Sequence, residues 1–132
     1  MQVFECRQKE MTRDMDLIRD LLLQIEKNPL MDGNNWVSFT EPGEICSLSK
    51  SMGEIGYHLT LLVEEGFVKG NTTMEMPVIC KLTWKGHELI DDIRDPGIWG
   101  KTKDRLKGLP TVAIGIIAEV AKAEIKKHIG LP

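Results

Sequence analysis

The sequence predicts an α+β fold, a winged helix-turn-helix with a C-terminal helical extension. Three observations predict it. The run Tyr57–Arg94 reads as an amphipathic helix stopped at Gly66, two short β-rich runs about a polar turn, and another helix. Leu17, Ile18, Leu21, Leu22 and Ile25 recur upstream at helical spacing. The chain has 132 residues, 42% of them hydrophobic and 28% charged, which suits one soluble domain with a sizeable core. The expected organisation is a flexible extension at 1–10, a winged-helix domain at 11–94 and a helical extension at 95–132.

Thr12 is placed to cap the first helix, expected at about 13–27, and Asp14 and Asp16 suit its positive end. Asn28-Pro29 ends it, because the residue before proline is pushed out of the helical region. Met11 reads as a second possible start. After the turn cluster Asp32-Gly33-Asn34-Asn35, the run Trp36-Val37-Ser38-Phe39 fits a small strand. A short helix is expected around 44–49. Ser51 with Glu54 three residues on forms a capping box for the next helix, whose apolar positions are Ile55, Leu59, Leu62 and Val63.

Phe67-Val68-Lys69 and Val78–Leu82 are the expected paired strands, with Asn71-Thr72-Thr73 in the connecting turn and Pro77 at a strand entrance. Thr83 caps a helix carrying Leu89, Ile90 and Ile93. Gly86 falls in its first turn, where a missing side chain lets helix and sheet approach closely. Asp95-Pro96-Gly97 reads as a break, followed by a basic helix over 98–107 and a second break at Gly108-Leu109-Pro110. A last helix is expected over 111–129. Its segment Val112–Ala118 is apolar on every side and must be covered, by its own domain or by a dimer partner.

These residues resemble a known family. Arg13-Asp14-Met15-Asp16-Leu17-Ile18-Arg19, Tyr57-His58-Leu59 with Leu61-Leu62, and Leu82-Thr83-Trp84 with Gly86-His87-Glu88 look like short bacterial and phage proteins forming a domain of unknown function. The likeness runs from about Met11 to Ile129. It implies a winged-helix-like fold, a start near Met11 and a part in regulation or host interference, and it brings no catalytic residues.

Nothing in the sequence reads as an enzyme. Cys6, Cys46 and Cys80 are scattered, and His58, His87 and His128 lack ligand spacing, so no disulfide, metal or cofactor is expected. No run approaches the ~20 apolar residues that cross a bilayer, and a cytoplasmic location follows as the expectation.

Two functions compete. A DNA-binding regulator of double-stranded sites follows from the fold, with Lys50, Tyr57, His58 and Thr60 on the recognition helix and Lys69, Asn71 and Thr72 on the wing as contact residues. Dimerisation through the last helix would serve it. Charge opposes this reading. Asn34–Glu65 holds one base against five acids, a net of −4, and Gly66–Ile93 three against four, a net of −1. Phosphate contact needs the opposite sign. Arg94–Leu109 instead carries five bases against two acids, +3, as a solvated face or a displaced nucleic-acid footprint. The rival function is a protein–protein module, such as a phage or prophage modulator of a host factor, acting through Ile114, Ile117 or acidic residues such as Glu54 and Glu64.

Overall fold

A computed structural model describes residues 12–38, 51–73, 76–109 and 112–131. Helix α1 spans Met15–Lys27. Its cap is Asp14, whose carboxylate accepts the Leu17 N–H at 3.1 Å, and not Thr12, which stands two residues before the cap position. Leu17, Ile18, Leu21, Leu22 and Ile25 form the buried stripe that the spacing predicts. The helix stops at Asn28, whose extended backbone turns the chain toward Pro29.

Strand β1 is Val37–Ser38, shorter than the expected four residues, and Phe39 and the helix expected at 44–49 lie outside the described residues. Helix α2, Met52–Glu64, opens with the expected capping box. Ser51 Oγ accepts the Glu54 N–H at 3.1 Å, and the Ser51 N–H reaches Glu54 Oε1 at 3.5 Å. Gly66, at φ +83°, terminates it in the left-handed conformation that side chains resist.

Strands β2, Val68–Asn71, and β3, Val78–Leu82, pair antiparallel, and β1 pairs on the other edge of β3, giving the order β1-β3-β2. Asn71, expected in the turn, is instead the last residue of β2 and lies opposite Val78. A bulge between Lys69 and Gly70 resets the register past the Lys69–Lys81 pair.

Helix α3, Trp84–Ile93, is capped by Thr83 through the Gly86 N–H at 3.1 Å. A Cβ on Gly86 would stand 2.0 Å from the Phe67 carbonyl oxygen, so helix and sheet touch backbone to backbone there. Helix α4, Pro96–Arg105, begins where a break was expected: Asp95 caps it at the Ile98 N–H (2.9 Å), and Pro96 fills the first position, where no N–H is needed. Helix α5, Ile114–His128, starts after Ala113 without a side-chain cap.

The described residues thus form an α+β fold, helices around a small antiparallel sheet. One hydrophobic cluster joins α1, α2, the sheet and α3, and α4 and α5 add Ile98, Trp99, Ile117 and Ala121 to it. Ile117, named as a possible partner contact, is therefore covered by its own chain. Trp99 anchors α4 on α1 by donating its indole N–H to Asp16 Oδ1 at 2.8 Å. Arg19 ties α1 to the end of α3, its guanidinium donating to the Ile93 and Arg94 carbonyls at 2.7 and 2.6 Å.

Candidate interaction face

The expected contact residues do not all reach the surface. Lys50 lies outside the described residues. His58 is corrected outright: only 1% of it is exposed. Its Nε2 accepts the Asp14 backbone N–H at 2.9 Å, and its Nδ1 lies 2.8 Å from the Glu54 carbonyl oxygen. An N–H facing Nε2 requires a lone pair there. The proton must then sit on Nδ1 and be donated to Glu54, which defines the neutral tautomer. His58 is a buried tie between α2 and the start of α1. It is not a surface reader.

Tyr57, beside it, is 37% exposed and packs edge-on against the His58 ring at 5.7 Å. Thr60 is half-buried and donates to the Gly56 carbonyl at 3.0 Å. Lys69, Asn71 and Thr72 are exposed along β2 and the turn. The Asn71 side-chain oxygen already takes the Thr73 N–H and hydroxyl at 2.8 and 2.7 Å, which shapes the turn. Around Tyr57, the outer positions of α2 and its end carry Glu54, Glu64 and Glu65, and 51–65 contains no lysine or arginine, although Lys85 of α3 reaches the Glu65 carboxylate at 3.8 Å.

The basic segment of the C-terminal helices meets acids of its own chain. Arg94 grips Glu26 through both guanidinium nitrogens and reaches Asp91 at 2.8 Å. These hydrogen bonds, Glu26 first, hold the guanidinium above its ordinary pKa, and the Arg94 hydrogen bond holds the Glu26 carboxyl below its own. Lys103 pairs with Asp16 at 3.0 Å and lies over the Trp99 ring, and Lys122 pairs with Asp92 at 3.1 Å. Arg105 binds the buried Glu124 at 3.0 Å, and this hydrogen bond, with Lys127 nearby, keeps Glu124 below the usual carboxylate range. Asp91, Asp92 and Asp95 thus have three separate duties: Asp91 and Asp92 pair with Arg94 and Lys122, and Asp95 caps α4.

Sequence reasoning missed a second surface. Trp84, Trp36 and Leu30 are exposed by 80, 54 and 58%. Trp84 borders a hollow of about 440 Å³ floored by Ile25, Met31 and Leu82. Helical spacing contains the clue, since Trp84 falls opposite the buried stripe of Gly86, Leu89, Ile90 and Ile93. Among the described residues, no group of three His, Cys, Asp or Glu side chains could hold a metal, and no helix is long and apolar enough to cross a membrane.

With its arrangement in view, the chain can be placed. It belongs to the family described as hypothetical protein (DUF2513), whose model matches residues 12–113. The resemblance to a domain of unknown function is thereby borne out, although the family match ends at Ala113, short of the expected Ile129. An uncharacterized protein of Haemophilus influenzae is 31% identical over 122 residues, covering 89% of this chain and 98% of that one. No solved structure matches.

Proposed function

We propose that this is a small regulatory protein of winged-helix type that acts by contacting another protein rather than the phosphates of a duplex. In this reading α2 stands where a recognition helix would, and β2, β3 and their turn form the wing. One observation carries it: the outer side of α2 and its end carry Glu54, Glu64 and Glu65 around Tyr57 with no base on the helix itself, Lys85 of α3 pairing with Glu65 at 3.8 Å, while His58 is buried. A face of that sign repels a duplex and suits a basic protein surface.

DNA binding is the second reading, favoured by the exposed Lys69, Asn71 and Thr72 on the wing. Fluorescence anisotropy with a mixed-sequence duplex pool at about 50 and 200 mM salt decides between them. The expected result is no binding at either salt. Binding at the lower salt that falls steeply at the higher would reject protein contact as the primary role and turn attention to an operator sequence.

A further inference from the structure

Where α4 meets the start of α1, the fold leaves a hollow of about 470 Å³. Trp99, Thr102 and Ile117, all buried, lie at its base, with the partly buried Leu106 and Val112 beside them. The polar atoms of that base are already engaged. Trp99 gives its indole N–H to Asp16 at 2.8 Å, and Thr102 gives its hydroxyl to the Ile98 carbonyl at 2.7 Å. Toward the hollow the base is therefore apolar.

The rim has the opposite character. Arg13, Lys103 and Lys107 stand there against one acid, Asp14, whose carboxylate accepts the Leu17 N–H at 3.1 Å. Asp16 holds Lys103 at 3.0 Å and Asp104 holds Lys107 at 3.9 Å, but neither carboxylate lines the hollow. Both pairs are exposed, and such pairs open readily to a competing anion. Arg13 is exposed and forms no ion pair or side-chain hydrogen bond among the described residues.

We propose that this hollow binds a small organic acid with an apolar body, its carboxylate held by Arg13 at the rim and its body lying on Trp99, Leu106 and Ile117. Size supplies the first argument: about 470 Å³ falls in the range of pockets that enclose small molecules. Charge supplies the second. A single uncommitted guanidinium matches one carboxylate, which it can grip through two parallel hydrogen bonds, and the two lysines add attraction of the same sign. Two other hollows lack one half of this combination. The one of about 530 Å³ beside Lys122, Lys126 and Lys127 has no buried residue in its lining, and the one beside Trp84 mixes Glu26 and Asp32 with Lys81 and His87.

The test is a titration of the full chain with octanoate, and with octanol as its neutral counterpart of equal chain length, followed by two-dimensional NMR. The reporter is the Trp99 indole N–H, assigned by elimination with Trp36→Phe and Trp84→Phe, both at exposed positions. Octanoate is expected to shift this signal saturably with a dissociation constant of about 1 mM or tighter, and octanol to bind at least about 10-fold more weakly. Arg13→Gln, at an exposed position, should weaken octanoate binding about 10-fold, as for the loss of one charge-assisted contact. Lys126→Gln, exposed on α5 and outside this hollow, should leave it unchanged. Four results would each overturn the proposal. The first is no saturable shift up to about 10 mM octanoate. The second is octanol binding as tightly as octanoate, which would make the hollow a seat for a partner's apolar side chain. The third is unchanged affinity in Arg13→Gln, and the fourth is an equal loss in Lys126→Gln, the mark of general attraction to a charged surface. None of them bears on duplex binding, so this inference and the proposed function fail separately.

Discussion

Replacing His58 by alanine removes more than a ring. The Asp14 N–H then loses the ring nitrogen that accepts it, and the wall between α1 and α2 loses a side chain that is 1% exposed. Losing the acceptor of a partly buried N–H costs about 1–3 kcal/mol. Truncating a buried side chain of this size adds about 2 kcal/mol for lost contacts and cavity. The sum, roughly 3–5 kcal/mol, is a large share of the ~5–15 kcal/mol that holds a domain folded. At about 3–4 °C per kcal/mol for a chain of this length, the melting temperature should fall by roughly 10–20 °C. Thermal and urea unfolding followed by circular dichroism measure it. His58→Gln, whose amide oxygen can accept the Asp14 N–H, is expected to lose about half as much. A surface reader of DNA would behave otherwise, losing duplex affinity at unchanged stability. A His58→Ala protein within about 0.5 kcal/mol of the wild type would refute the assignment of His58 as a buried tie.

Two further outcomes follow from the packing and the ion pairs. Gly86→Ala is expected to cost about 3 kcal/mol or prevent folding, because its Cβ meets the Phe67 carbonyl, while Gly100→Ala, with nothing within 4 Å, is neutral or stabilising by up to about 1 kcal/mol. Equal melting temperatures for the two variants would mean that α3 moves freely off the sheet. Acid should loosen the C-terminal helices: Glu26 and Glu124 have lowered folded-state pKa values, so their stabilisation is complete above the ordinary carboxylate range and is lost as pH falls through the lowered values. Glu26→Gln and Glu124→Gln should each be less stable than the wild type at about pH 7, with the gap closing toward about pH 3; a gap independent of pH would show that neither carboxylate is linked to folding.

What was legible in the sequence is what neighbouring residues decide among themselves. The stripe from Leu17 to Ile25, the Ser51–Glu54 box, the stop at Gly66 and the Thr83 cap each depend on spacing within a few residues, and each is found as read. His58 was legible too and was misread. Positions 55, 58, 59 and 62 follow the spacing of a single helix face, which puts it inside the apolar stripe beside Ile55, Leu59 and Leu62. Asp95-Pro96 carried a start signal, an acidic cap followed by proline, but the two residues were read as an interruption. The remainder depends on the fold. Trp99 and Asp16 are 83 residues apart, and no local pattern pairs them. The hollow beside Trp84 draws its walls from α1, the α1–β1 connection, β3 and α3, so it exists only once those elements are packed.

The uneven charge of the chain also has an internal explanation. Residues 12–93 hold seven bases against fourteen acids, a net of −7, and residues 94–132 hold eight against four, a net of +4. Read along the sequence, the second figure suggests a track for phosphates. In the fold the two excesses face each other: Arg94 meets Glu26, Lys103 meets Asp16 and Lys122 meets Asp92. Exposed pairs of this kind contribute about 0–1 kcal/mol each, so burial of Ile98, Trp99, Ile117 and Ala121 holds α4 and α5 in place, and the charges select their orientation. A duplex approaching these cations would have to displace the carboxylates that already hold them, and those carboxylates would remain close enough to repel phosphate. Positive charge spent on closing the fold makes a poor nucleic-acid footprint, while the outer side of α2 and its end remain acidic overall, with three carboxylates against the one lysine, Lys85, that pairs with Glu65.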